Sequence, residues 1–296
     1  MLTRSGPRDM ATILILADLR CSVDFRRNRA ITMSGAGRRA ERIKHLGKYD
    51  DAPRPVAAMA KAYADGTSTP LHRHRRGQLL HAVSGIMRIE TAYAAWLIPP
   101  ARALWMPPNE VHKVTMRSHV EMRTLYIDAG AATALPARPT LVEVGGLLRE
   151  LILAALEEPA RYDERGRGGL VARLILTELA RMRQRPLAVP MPRDPRALRV
   201  ARALLEQPAI ELDLDGWAGH AGASRRTLAR LFRGETGLSF AEWRARLRAI
   251  DGLARLSAGA SVAASAAAVG YGSPSAFSAM VRRLLGEPPR RLAREA

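Results

Sequence analysis

Between Leu214 and Arg291 one pattern of residues occurs twice, and this repeat limits the fold more than any other feature of the 296-residue chain. Ser224-Arg-Arg-Thr-Leu-Ala-Arg-Leu-Phe-Arg233 aligns with Ser273-Pro-Ser-Ala-Phe-Ser-Ala-Met-Val-Arg282 at a constant offset of 49 positions. At the same offset Ala218, Leu228, Phe232 and Gly237 fall on Ala267, Phe277, Val281 and Gly286. One supersecondary unit is built twice.

Each copy predicts two short helices around a tight turn. In the first, Leu214 to His220 is followed by Gly222, which tolerates the backbone angles of a sharp inter-helix turn. Ser224 then stands at an N-cap position, and Leu228, Leu231 and Phe232 recur three and four apart on one face. Gly237 closes that helix. In the second, Val262 to Val269 precedes the turn Gly270-Tyr-Gly272, Ser273 caps, and Pro274 occupies the first helical position, where its missing N–H costs nothing. Phe277, Met280, Val281 and Leu284 repeat the apolar stripe before Gly286, Pro288 and Pro289. The predicted units, 214–237 and 262–286, are helix-turn-helix units, each with its second helix free to enter a DNA major groove.

Phe240, Trp243, Leu247, Ile250 and Leu253 define a long amphipathic helix between the copies, over Phe240 to Leu256. At about 1.5 Å per residue it spans roughly 25 Å, close to the roughly 34 Å between successive major grooves on one DNA face. Two recognition helices could therefore reach adjacent grooves.

The run Gly270-Tyr-Gly-Ser-Pro-Ser-Ala-Phe277, then Arg282-Arg-Leu-Leu-Gly286-Glu-Pro-Pro289, resembles the signature of AraC/XylS-type transcription regulators. Arg246-Leu247 and Leu228-Ala-Arg230-Leu-Phe232 fit the same pattern. Val281 stands where that family usually has Phe, and Leu292 departs from its usual aromatic-Arg pair. The resemblance covers about a hundred residues and implies a sequence-specific regulator of transcription.

Composition fits without being decisive. The net charge of +19 suits a polyanionic partner. Residues 194–296 carry 16 Arg and no Lys against 10 Asp and Glu, so the excess is not confined to the repeat. One cysteine, Cys21, rules out an internal disulfide and suits a reducing cytosol, giving a cytoplasmic expectation. The apolar run Ile13-Leu-Ile-Leu16 is too short for a membrane span and lacks a small-residue cleavage site, so no membrane partner is expected. Residues 1–50, uneven and Arg-rich, read as a disordered extension, with Met33 as an alternative start.

From Met59 to Asp128 the pattern changes to short strands: Leu79 to Val83, Gly85 to Thr91, Ala95 to Ile98, Ala103 to Met106 and Met122 to Ile127. These predict a small β-barrel or sandwich over 51–130. Gly66, His72, His74, Gln78 and Gly85, followed by Pro107, Asn109 and His112, resemble the two cupin motifs, with Gln78 for the usual Glu and Asn109 for the usual Gly. Asn tolerates the left-handed region better than most residues. On a strand His72 and His74 share one face while Arg73 and Arg75 take the other, so the imidazoles line the interior. Three readings stay open: a possible divalent metal on His72, His74 and His112; a hydrogen-bonding effector pocket of His72, His74, Gln78 and His112; or histidines held by internal hydrogen bonds. No cofactor is required by any other feature.

Residues 131–184 predict a helical connector, with apolar faces over Leu141 to Leu156 and Leu170 to Met182 that cover the barrel or form a homodimer seam. The Pro-rich stretch 185–193 reads as an interdomain linker, and Leu198 to Leu205 opens the DNA-binding domain, 194–296. The whole is an α+β multidomain chain: a cupin-like β-barrel, helices, then an all-α tandem helix-turn-helix domain. Its expected DNA-binding residues are Ser224, Arg225, Arg226, Thr227, Arg230 and Arg233 in the first unit. In the second they are Ser273, Ser275, Ala276, Ala279, Arg282 and Arg283. Arg226 and Arg230 suit bidentate contacts to guanine, whereas the second unit's small side chains leave phosphates and thymine methyls. Expected partners are double-stranded operator DNA, a small effector and, for an activator, RNA polymerase. The chain is expected not to be an enzyme; the runner-up class is a metal-dependent cupin oxygenase or isomerase with an accessory helical half, and a third, a nonspecific DNA-architectural protein, accounts for the charge but not for the barrel histidines.

Overall fold

The structure is a computed structural model and describes residues 44–45, 49–182, 184–185 and 187–294. Its N-terminal part holds β1 (Lys44–His45), β2 (Val56–Tyr63), β3 (His72–Arg73), β4 (Gly77–Ser84), β5 (Met87–Glu90), β6 (Ala94–Ile98), β7 (Arg102–Met106), β8 (Lys113–Met116), β9 (Val120–Ile127) and β10 (Thr140–Glu143). Two helices follow, α1 (Gly146–Glu157) and α2 (Arg167–Ala180), then two short strands, β11 (Gln184–Arg185) and β12 (Val189–Pro190). The rest is helical: α3 (Pro195–Glu206), α4 (Leu214–Ala221), α5 (Arg225–Thr236), α6 (Phe240–Ser257), α7 (Val262–Ala268), α8 (Pro274–Leu285) and α9 (Pro289–Arg294).

Two antiparallel sheets face each other, one in the order β11-β10-β7-β4-β9-β2 and the other β12-β6-β5-β8. Alternation along the strands sends one set of side chains between the sheets, where Leu80, Met87, Ile89, Trp96, Leu104 and Met116 are buried together. Leu79, Trp105 and Leu125 point the other way and pack under Leu148, Ile152, Ile175 and Leu179 of α1 and α2. The connector helices therefore cover the larger sheet. Their outer side leaves Leu147, Leu170 and Leu174 about half exposed, at 56%, 55% and 48%.

Three expectations need correction. The apolar stretch from Leu141 is not helical throughout, because Thr140–Glu143 pairs with β7 as a sheet strand and the helix begins only at Gly146. Leu141 and Val142 gain burial on opposite faces of the sheet, in the inter-sheet core and under the helices, and Gly145-Gly146 breaks the run. The stretch 185–193 is not a free tether either: Val189–Pro190 pairs with β6, and Met191 N–H donates to Tyr93 O at 2.8 Å. An edge position accepts a proline because its missing donor faces away from the ladder. The disorder expected for 1–50 lies, for 1–43 and 46–48, outside the described residues; within it Lys44–His45 is a strand parallel to β3.

The smaller sheet turns its outer face to the helical domain. Ile86, Ala95 and Leu97 join Val189 and Met191 in one core with α3 to α6, including Trp217, Phe232 and Trp243. Trp243 Nε1 donates to Pro190 O at 2.6 Å and Arg246 Nε to Ala188 O at 2.6 Å. At the other end of the seam the carboxyl terminus of α3 leaves carbonyls without intrahelical partners. Two barrel arginines supply them: Arg88 Nη1 donates to Leu205 O at 3.0 Å and Arg117 Nη2 to Glu206 O at 2.9 Å. The Glu206 carboxylate takes Arg88 on one oxygen and Arg117 on the other, the latter at 2.8 Å. Among the described residues no helix is long and apolar enough to cross a membrane.

Arg88→Ala should unlock this seam. It removes a buried guanidinium and leaves Leu205 O and Glu206 without it, a loss on the order of 3 kcal/mol. Urea denaturation should report that loss, and limited proteolysis should cut faster within 187–193.

Candidate functional site

The repeat of the sequence is repeated in space. Ser224 caps α5, its side chain accepting from Thr227 N–H, and Ser273 caps α8 by accepting from Ala276 N–H. Gly237 and Gly286 end the two helices in the left-handed region, at φ 75° and 82°, each donating to an Arg carbonyl, Arg233 O or Arg282 O. The buried stripes are Leu228, Leu231 and Phe232 in α5 and Phe277, Met280 and Val281 in α8.

Between them α6 serves two cores at once. Trp243, Leu247 and Ile250 pack with the first unit, Ala249 and Leu253 with the second. Gly252 allows the second contact, since a Cβ there would lie 2.5 Å from the Phe277 ring. Arg248 fastens the units together by donating to Pro208 O at 2.8 Å and Ile210 O at 3.0 Å while lying over the Tyr271 ring.

The outward faces of α5 and α8 differ as the sequence implied. Arg225 pairs with Asp215 at 2.8 Å. Arg233 pairs with Glu242 at 3.3 Å and donates to Gly237 O. Arg226 and Arg230 are exposed, one turn apart on α5, and have no hydrogen bond or ion pair among the described residues. Thr227 is half-buried and bonds to the Ser224 hydroxyl at 3.0 Å. On α8, Ser275, Ala276 and Ala279 are exposed, as are Arg282 and Arg283 toward its end.

The second candidate site lies inside the barrel. His72, His74, Gln78 and His112 are all buried, while Arg73 and Arg75 face outward. Backbone pairing joins the two motifs: His72 N–H donates to His112 O at 2.9 Å and His112 N–H to His72 O at 2.8 Å. Asn109, at φ 64°, is left-handed and donates its N–H to His74 O at 2.8 Å. Ligand atoms of the three imidazoles lie within 4.8 Å of one another.

Their hydrogen bonds fix the tautomers. A carbonyl only accepts, so His72 Nδ1, 2.8 Å from Pro70 O, and His112 Nδ1, 3.0 Å from Glu110 O, carry the ring protons. Both Nε2 atoms are left with lone pairs. Gln78 Nε2 donates to the Tyr126 hydroxyl at 3.1 Å, and neither Gln78 Oε1 nor His112 Nε2 has a hydrogen-bond partner among the described residues.

Tyr126 and Tyr49, absent from the expected set, complete the pocket: their rings stack at 4.7 Å, and Tyr126 meets His74 edge-on at 5.1 Å. Tyr126 is the cross-strand partner of Gln78, a pairing set by register between distant segments. Burial, and then the neighbouring His72, push His112 down to about 3, against its bond to Glu110. His72 is also lowered, by burial, with its bond to Pro70 opposing.

These features define a class: a buried histidine cluster in a double-sheet barrel, docked on a domain of two helix-turn-helix units. Comparison with known proteins gives the family. Residues 55–209 match the family described as AraC-like ligand binding domain, and residues 217–295 match a helix-turn-helix domain family. The chain is 32% identical to the HTH-type transcriptional regulator NimR of Escherichia coli (strain K12) over 236 residues, 80% of this chain and 86% of NimR. It is 36% identical to the HTH-type transcriptional regulator RipA of Corynebacterium glutamicum over 100 residues, 34% of this chain and 30% of that protein. A solved structure of ToxT from Vibrio cholerae aligns with a TM-score of 0.35 at 9% identity, over 82% of this chain and 99% of that one. The chain belongs to the AraC family of helix-turn-helix transcription regulators. That is a family of regulators, not of cupin enzymes.

The buried neutral histidines give a signed pH dependence. His112 has a folded pKa below its ordinary value, so the unfolded chain takes up protons first. Stability is full above about pH 6.5 and falls on acidification, by up to about 1.4 kcal/mol per pH unit for this residue. Urea midpoints from pH 7.5 to 5, in chelator, should show the fall, and His112→Gln should flatten it.

Proposed function

We propose that the first helix-turn-helix unit sets base specificity through Arg226 and Arg230, that the second mainly holds the DNA backbone, and that a small effector in the barrel pocket modulates both. The observation that carries this reading is the contrast between the two exposed helix faces. Arg226 and Arg230 extend from α5 with no hydrogen bond or ion pair among the described residues, Asp194 acting on Arg230 only through space, and a guanidinium fork matches the O6 and N7 acceptors of guanine. Ser275, Ala276 and Ala279 cannot span that distance.

Arg225 and Arg233 take phosphates in this scheme. Their exposed ion pairs with Asp215 and Glu242 are worth little in water, and a phosphate exchanges for them readily. Ser224, Thr227 and Ser273 sit at the helix starts, where backbone N–H groups favour an anion, and Arg282 and Arg283 add charge at the end of α8. The regulator acts on operator DNA in the cytoplasm, and the exposed Leu147, Leu170 and Leu174 suit a homodimer seam. An activator form would also touch RNA polymerase.

Recovery of genomic fragments bound by the purified protein, at two salt concentrations, provides the test. A compact motif that survives the higher salt supports a sequence reader; motif-free binding that collapses with salt overturns it. On the recovered motif, Arg226→Ala or Arg230→Ala should each cost about 1–3 kcal/mol and relax preference at one base. Arg282→Ala should weaken all sequences equally. If Arg226→Ala lowers specific and nonspecific binding alike while Ala276→Ser shifts the motif, the assignment of roles is wrong.

A further inference from the structure

The barrel interior gathers His72, His74, Gln78 and His112, and two of their acceptor atoms, Gln78 Oε1 and His112 Nε2, have no hydrogen-bond partner among the described residues. His72 and His112 have their Nδ1 protons committed to Pro70 O and Glu110 O, which aims bare Nε2 lone pairs away from those carbonyls. A backbone carbonyl behind each imidazole is the arrangement that orients histidine on metals. The three imidazole ligand atoms, all within 4.8 Å of one another, need to close by about an ångström to sit on one ion at about 2.1 Å. Gln78 has its amide N–H tied to Tyr126, leaving Oε1 buried without a hydrogen-bond partner. A pocket built only for packing would not strand such acceptors.

The charge of the set decides what else must bind. Imidazole and amide ligands bring no negative charge to a metal, and the nearby carboxylates Asp50 and Glu110 are held by Arg75 and Tyr93. Asp50 accepts from Arg75 N–H at 2.9 Å and lies 3.7 Å from the Arg75 guanidinium. The Glu110 side chain bonds to Tyr93. A divalent ion here keeps both positive charges in a buried site, which is costly until an anion neutralises it.

We propose that His72, His74, His112 and Gln78 form a divalent transition-metal site, and that the effector is a small carboxylate-type anion that completes the ion's coordination. The inference rests on reading the barrel as the effector pocket. Gln78 then has a definite role: where a carboxylate would satisfy half the charge from within the protein, the amide reserves it for the effector. Tyr49, stacked on Tyr126, contributes an apolar wall that favours an anion with a planar or apolar body.

Full-length protein made without a poly-His tag, stripped with chelator and titrated with Co2+, tests the site by calorimetry and visible absorption. One Co2+ per chain is expected, with affinity lowered more than about 100-fold in His112→Gln, whose fold circular dichroism would verify. Absence of stoichiometric Co2+ binding in the wild type overturns the metal site. Oxalate added to the Co2+-loaded protein should shift the visible bands saturably, and Gln78→Glu should bind Co2+ more tightly while responding less to oxalate. Bands indifferent to oxalate in both proteins overturn the anionic effector. Operator affinity, measured on the same samples by fluorescence anisotropy, separates the layers. Bound Co2+ and oxalate that leave operator affinity unchanged support the site and sink only its role as an effector pocket.

Discussion

Ile86, Ala95 and Leu97 leave the outer face of the smaller sheet and enter the same core as Trp217, Phe232 and Trp243. The placement of the barrel against the helical domain rests on that shared burial. Each large apolar side chain removed from water contributes about 1.5–3 kcal/mol, and here the sum is divided between the two domains. Neither domain can move without exposing part of it. The polar contacts at its edge work with the core: Arg88 and Arg117 from the barrel complete the carboxyl terminus of α3, and Trp243 and Arg246 from α6 complete the backbone of the 187–193 strap.

This seam also connects the two candidate sites by short steps. Arg88 on β5 is the cross-strand partner of Thr115 on β8, whose hydroxyl lies 3.1 Å from that of Ser68. Ser68 stands four residues before His72, and His112 immediately precedes β8. On the far side Arg88 grips α3, which packs against α4 and α5 in the core of the first helix-turn-helix unit. The imidazoles and the first helix-turn-helix unit are thus joined by strand pairing and one buried guanidinium.

Much of this was legible in the residues, and the reasons differ by region. The helical domain announced itself because its signals are local: Ser224 and Ser273 cap, Gly237 and Gly286 stop, and apolar residues recur at helical spacing. The His72 and His74 pair was legible for the same reason, since alternation on a strand needs only two neighbours. Register is not local. Tyr126 opposite Gln78, Thr140–Glu143 beside β7, and Val189–Pro190 beside β6 pair segments tens of residues apart, and Leu141 belongs equally to a strand or to a helix by its neighbours. The Arg88 and Glu206 contact spans 118 positions, and no local pattern announces it.

The middle of α6 is buried on every side from Ala249 to Ala254, with Gly252 pressed against Phe277 and Trp243 locked to the strap one helical stretch earlier. A spacer clamped in this way cannot lengthen, bend or swivel at low cost. Helices α5 and α8 are thus held at one separation and one relative rotation, while DNA turns by about 34–36° with each base pair. On the proposed mode of DNA reading, such a clamp makes phase matter as well as letters: two correct half-sites moved apart by a single base pair present their edges at the wrong angle.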